Sequence, residues 1–193
     1  MTAIILNLKP TIELTDAQFE SICSINRDLR FERSATGELI IMPPTGGETG
    51  NKNWSICGQL WQWNQQFQLG KGFDSSTGFI LANGATRSPD AAWMKKERWD
   101  TLTSEQRKKF IPLCPDFAVE LRSHSDKLSE LQQKMQEYLD NGLLLGWLID
   151  PQSQQVLIYQ ANCQVQILSQ PTSLSGDDIL PGFILDLTEI LTD

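Results

Sequence analysis

The stretch from residue 117 to residue 150 constrains the fold more than any other part of this chain. FAVELR (Phe117 to Arg122) reads as a strand, Asp126 to Asn141 as a helix, and LLGWLID as a second, buried strand. On the helix, Leu128, Leu131, Met135 and Leu139 recur on one face, and Asn141-Gly142 ends it. That apolar face has to pack back across the sheet that holds both strands. Asp150-Pro151 then turns the chain towards VLIY (Val156 to Tyr159), and a further strand follows near 165–168. Strands that alternate with helices and then run as hairpins predict an α/β protein with a mixed β-sheet flanked by helices.

The flanking segments add to this plan. Thr15 and Gln18 form a capping-box pattern that opens a helix to about Arg27. ELIIM at 38–42 reads as a strand stopped by Pro43-Pro44. After the TGGETGN segment, Ile56, Leu60, Trp63 and Phe67 mark one face of an amphipathic helix. The stretch from Lys71 to Trp93, rich in Gly, Ser and Asn, carries two or three short strands, one of them at Ala91 to Met94. Thr103 to Phe110 reads as a short charged helix, and the tail with Pro181-Gly182-Phe183 is expected to pack over one end. No repeat or linker divides the 193 residues. A single domain over 1–193 is expected, with its core at about 31–160, an N-terminal helix and a C-terminal strand extension.

Several function classes are disfavoured. No apolar run reaches the roughly 18 residues that span a bilayer. MTAIILNLKP lacks the basic start and cleavage site of a signal peptide, so a cytoplasmic protein without a membrane role is expected. Cys23, Cys57, Cys114 and Cys163 lie far apart, which argues against a zinc or redox centre and for four buried, reduced thiols. His124, the only histidine, sits beside Ser123, Ser125 and Asp126; triads are built from separate segments, so it receives no catalytic role.

The net charge of −8 argues against a nucleic-acid binder, but its distribution matters. Lys134 is the last base, and the tail after it holds eight acids, Asp193 included. The first 134 residues are neutral. Arg87, Lys95, Lys96, Arg98, Arg107, Lys108 and Lys109 are candidates for a local basic face, against the simpler reading of a solvated mixed-charge surface.

Glu120 most needs an explanation. Period two within FAVELR puts Ala118, Glu120 and Arg122 on one face of the strand and Val119 and Leu121 on the other. A mid-strand acid between apolar neighbours is costly to bury unless it is paired or bound to a cation. Asp90, just before another strand, could share a hard cation with it, since Mg2+ prefers one or two carboxylates completed by water and phosphate oxygens. Lys134 borders the apolar face of the following helix, and Lys127 falls on nearly the same side, so either could reach the strand end. The plainer readings are a turn residue at Asp90, a buried ion pair of Glu120 with Arg122 or Lys134, and a solvated Lys134.

Taken together, SPDAAW, PDFAVELRS, DKLSELQQKMQEYLDNG and GWLIDP resemble a family of restriction endonucleases abundant in cyanobacteria, within the PD-(D/E)XK nuclease superfamily. The resemblance runs from about Phe31 to Tyr159. It implies a restriction-endonuclease-like fold and Mg2+-dependent hydrolysis of DNA phosphodiester bonds, with Mn2+ as a substitute cation. Asp90 and Glu120 match the metal ligands, assisted by the Leu121 carbonyl. Lys134 matches the motif lysine, moved from the strand to the helix, and Glu48 is the nearest match to an additional acid on the first core helix. Two departures stand out. Arg122 occupies the strand position where an E-x-K motif has lysine, and it can clamp phosphate but cannot act as a base. Ser123-His124-Ser125 replaces the family's usual S-P-S.

A homodimer is expected, because two sites related by a twofold suit cutting both strands of a duplex. Trp54 and Trp61, which lie off the apolar stripe of their helix, suggest a self-association surface. The competing functions are a catalytically silent binding module of the same fold, acting through a protein or nucleic-acid partner, and a hydrolase of small phosphoesters.

Overall fold

The computed structural model describes residues 3–192; Asp193 of the acidic tail and the first two residues of the chain start lie outside the described residues. In chain order the elements begin with β1 (Ile4–Leu6), α1 (Asp16–Ile25), β2 (Arg30–Arg33), β3 (Leu39–Met42) and α2 (Gly47–Phe67). Next come β4 (Gly70–Asp74), β5 (Phe79–Ile80), β6 (Thr86–Arg87), β7 (Ala91–Lys95) and α3 (Lys96–Asp100). A single 3-10 turn (Gln106–Lys108) precedes β8 (Phe117–Leu121), α4 (Leu128–Asp140), β9 (Leu145–Asp150) and β10 (Gln155–Gln160). The tail adds β11 (Gln166–Ser169), β12 (Ser173–Ser175), β13 (Ile184–Asp186) and α5 (Thr188–Leu191).

The central sheet has six strands in the order β11-β10-β9-β8-β7-β4. It is antiparallel except between β8 and β9, which run parallel because α4 carries the chain back across the sheet between them. A smaller sheet, β1-β3-β2-β6-β5, stands beside it, and β12 pairs with β13. The fold is mixed α/β, with mixed sheets flanked by helices, as the sequence pattern predicts.

Alternation along β8 divides the core. Phe117, Val119 and Leu121 face a layer made by Ile56, Leu60 and Trp63 of α2 and by the C-terminal residues Phe183, Leu185 and Ile190. Ala118 faces the opposite layer, with Met135 and Tyr138 of α4 and with Phe79, Met94 and Ile111. The tail thus covers a face of the sheet and not its end. Phe183 lies 5.5 Å from Trp63 and stacks on Trp147 at 6.0 Å, because its ring fills the space beside α2 that those indoles leave.

Local chemistry explains the element ends. Thr15 and Gln18 close the capping box of α1 in both directions. Gly142, at φ +102°, takes the left-handed turn that stops α4. The charged segment expected as a helix at 103–110 gives only the 3-10 turn, since it has too few apolar residues to hold a longer helix on the sheet. α3, the strand β2 and the N-terminal strand β1 were not expected; short pairing and packing partners create them, not periodicity. The stretch from 70 to 95 holds four strands where two or three were expected. Of the four thiols expected to be buried, all are free, but only Cys114 is buried; Cys163 is exposed, and Cys23 and Cys57 are half-buried.

Gly146 in β9 sets how closely α4 approaches. A Cβ there would lie 2.3 Å from Met135 Cε and 2.8 Å from Leu143 Cδ2. Gly146→Val is expected to lower stability by about 1–3 kcal/mol through overpacking, read as a lower midpoint in denaturant; an unchanged midpoint would show that α4 is free to shift.

Candidate active site

Asp90 and Glu120 face each other across the β7–β8 ladder. The last registered pair is Ala91 with Val119, and one further step of the same antiparallel register sets Asp90 opposite Glu120. Both are on the α4 side of the sheet, the parity of Ala92 and Ala118. Pro89 precedes Asp90, whose Oδ2 accepts the Leu121 N–H at 2.8 Å. That bond locks the start of β7 to the end of β8.

Lys134 answers this pair from α4. Its Nζ lies 2.9 Å from Glu120 Oε1 and 2.9 Å from Glu32 Oε1. One turn later, the Tyr138 hydroxyl donates to Glu120 Oε1 at 3.0 Å. Glu120 is therefore paired with Lys134 and not with Arg122, which bonds the fully buried Asp150 at 2.9 Å. Lys127 stands at the N-cap position of α4 without a side-chain cap and pairs with Glu130 on the surface.

Glu32, on β2, had no signal in the sequence. It is 3 % exposed, and it accepts the Ser88 N–H at 2.9 Å, Arg87 Nη1 at 3.1 Å and the Lys134 ammonium. Arg87 in turn bonds Glu137 at 2.6 Å. Only alternation along β2 could have hinted at Glu32, and a four-residue strand gives too short a pattern. Arg87 is thereby removed from the candidate basic face. Most of the other bases proposed for that face are also answered by acids: Lys96 by Asp100, Arg98 by Asp116, Arg107 by Asp100, Lys108 by Glu105 and Lys109 by Glu20.

The carboxylates differ because their surroundings differ. Burial, with Asp90 and Glu32 as like charges, pushes Glu120 up to about 7 despite Lys134. Burial also raises Asp90. Burial acts on Glu32 in the same sense, but Lys134, Arg87 and the Ser88 N–H outweigh it and hold Glu32 below the ordinary range. Two acids share one lysine, and Glu32, with the additional arginine, keeps its charge more easily.

These groups line an open cavity of about 590 Å3. Glu48, in the first turn of α2, reaches its rim but is largely exposed and bonds Lys52 at 2.8 Å. His124, Ser123, Ser125 and Asp126 of its lining come from the loop after β8, and Arg27 and Arg30 add positive charge to it. The structure thus brings together Asp90, Glu120, Leu121, Lys134 and, at the edge, Glu48; it turns Arg122 away towards Asp150. Among the described residues no group of three or more His, Cys, Asp or Glu could itself hold a metal. Two carboxylates with a nearby carbonyl still suit a hard cation that keeps water and substrate oxygens.

The model of the Uma2 family, described as "Putative restriction endonuclease", matches residues 16–188. The chain belongs to this family. Among solved structures, it is similar to a crystal structure described as a putative nuclease of the DUF820 group from Anabaena variabilis, with a TM-score of 0.70 at 16 % identity. That likeness covers 83 % of this chain and 89 % of the other. It establishes the fold, which is restriction-endonuclease-like. No curated protein matches the chain. Among the described residues no helix is long and apolar enough to cross a membrane.

The raised Glu120 has a consequence for stability. Below about pH 4.5 the carboxyl is protonated in both folded and unfolded chains; above about 7 it is ionised in both. Between these values the unfolded chain loses its proton first, so folding becomes less favourable as pH rises. In chelator-treated protein, Glu120→Gln is expected to gain about 1–3 kcal/mol relative to wild type between pH 4.5 and pH 8. A variant that instead loses stability across this range would identify Glu120 as half of a stabilising ion pair.

Proposed function

We infer that the protein is a Mg2+-dependent endonuclease that hydrolyses phosphodiester bonds in DNA. The observation that carries this reading is the pair of facing carboxylates, Asp90 and Glu120, on the floor of an open cavity with a lysine on one of them. Family membership and the nuclease-like fold support it. Asp90 and Glu120, with the Leu121 carbonyl, would hold the cation, and Mn2+ would substitute. A bound divalent ion would withdraw charge from a phosphoryl oxygen and make water more acidic.

The remaining work falls to the chain. Lys134, held by Glu32 on one side and Glu120 on the other, keeps its ammonium at the cavity floor. From there it would orient the attacking water or offset negative charge that grows on the phosphorus oxygens. Tyr138 fixes the Glu120 carboxylate so that one oxygen stays oriented. Arg27 and Arg30 would meet backbone phosphates entering the cavity.

One observation favours the rival reading of a silent binding module: Lys134 already compensates Glu120 and Glu32 within the protein. Nicking of supercoiled plasmid in Mn2+ separates the two. Wild type is expected to nick, Asp90→Asn and Glu120→Gln to be inactive while still folded, and neither variant to bind Mn2+ in a calorimeter. Lys134→Met is expected to keep the cation and lose about 100- to 1,000-fold in rate. Equal nicking by wild type and Glu120→Gln would remove the site from this cavity. Turnover of a small phosphodiester with no salt-dependent DNA affinity would assign a small-phosphoester hydrolase.

A further inference from the structure

β4 is the outermost strand of the central sheet, and no described strand pairs with its outer edge. The Lys96 N–H donates to Leu69 O at 2.9 Å, which sets the alternation along this strand. Lys71 and Phe73 turn their peptide groups towards β7, and Gly70, Gly72 and Asp74 turn theirs outward. In agreement, Gly70 O is reached from outside the ladder by Asn64 Nδ2 at 3.2 Å. Gly70 is buried and Asp74 O accepts the Thr77 N–H at 3.1 Å, so the part of the edge left as a template for another strand is at Gly72.

The helix above this edge shows the same incompleteness. Cys57 bonds Asp90 O and Asn64 bonds Gly70 O, so this flank of α2 lies over β7 and β4. At about 100° per residue, Trp61 and Trp54 follow next around the helix, beyond the sheet edge. Trp54 is 78 % exposed and Trp61 64 %. Helix α2 carries no charged residue from Asn53 to Phe67. In a chain of net charge −8, this is a surface where two copies can meet without like-charge repulsion.

We propose that the β4 edge and the outer flank of α2 form a self-association surface whose occupant is a second copy of this chain. The two β4 strands approach antiparallel about a twofold axis at Gly72, so that Gly72 and Gly72 of the second copy exchange N–H···O bonds. On the α2 side, Gly72 presents no side chain and a Cβ there would meet only Ala92 O at 4.0 Å, which leaves room for the indoles of Trp54 and Trp61 from across the axis; the space above Gly70 is filled by Trp93. At roughly 250 Å2 for a fully exposed Trp, the two indoles supply about 350 Å2 per copy. That is nearly half of the ~800 Å2 per partner in a standard interface, before strand pairing is counted. The proposal does not depend on the chemistry assigned to the cavity.

Sedimentation of the wild type and Trp61→Glu, with non-reducing gels of Gly72→Cys, tests it. The wild type is expected as a dimer. Trp61→Glu is expected to weaken it about 30-fold or more with an unchanged far-UV circular dichroism spectrum, because the side chain is exposed in one copy. A Cβ at Gly72 meets only Ala92 O, at 4.0 Å, so Gly72→Cys folds without strain. In a paired ladder the two cysteines would lie about 5.5 Å apart at Cα, within disulfide reach, and cross-link beyond the wild-type background. A monomeric wild type would overturn the proposal and leave the edge to a strand of another protein. A dimer that survives Trp61→Glu would also overturn it, as would a dimer in which Gly72→Cys does not cross-link.

Discussion

Two carboxylates set opposite each other on neighbouring strands, with one lysine shared between Glu120 and a third acid, Glu32, form the constraint around which the structure is arranged. Like charges at directly opposed ladder positions are destabilising, and burial makes them more so. The fold keeps Asp90 and Glu120 there by meeting each with a different device. Asp90 takes the Leu121 N–H. Glu120 takes the Tyr138 hydroxyl and half of the Lys134 ammonium. Glu32 takes the other half and ties Lys134 to Arg87 and to the start of the Pro89-Asp90 segment.

This arrangement explains several choices elsewhere. The parallel pairing of β8 and β9 requires a crossover, and α4 supplies both the crossover and the Lys134 and Tyr138 side chains that meet Glu120. The lack of a Cβ at Gly146 lets Met135 settle on the sheet, which brings the neighbouring Lys134 within reach. The small sheet adds Glu32 from β2 and Arg87 from β6, so the smaller half of the fold contributes to the charge balance of the larger. Arg122 has a separate role, closing the end of β9 through Asp150.

Much of this was legible in the sequence, for identifiable reasons. The β8–α4–β9 unit is long and strongly patterned, so its strands, its helix and the inward parity of Glu120 followed from periodicity. Asp90 and Lys134 were singled out by the family resemblance and not by spacing alone, since a proline-acid pair and a helix lysine are common in structural roles. Glu32 and the Arg87 pairing were not legible, because they depend on a second sheet built from short strands with no period of their own. The tail was placed at an end and not on a face because the aromatic contacts of Phe183 are made with Trp63, Phe117 and Trp147, residues far away in sequence. The bases weighed as a local basic face instead form the mixed-charge surface that was the simpler reading; which acid answers each base, such as Glu20 for Lys109 or Asp116 for Arg98, is not visible in a charge run.

The central claim is that the Asp90–Glu120 pair is held in strain to be relieved by a divalent cation. The most direct measurement is the thermal midpoint of wild type and Glu120→Gln at pH 8, with chelator and then with saturating Mn2+. The account predicts that Mn2+ raises the wild-type midpoint by several degrees, as ligand binding to the folded state alone must, and leaves Glu120→Gln unmoved. Equal shifts in both proteins, or none in either, would contradict it.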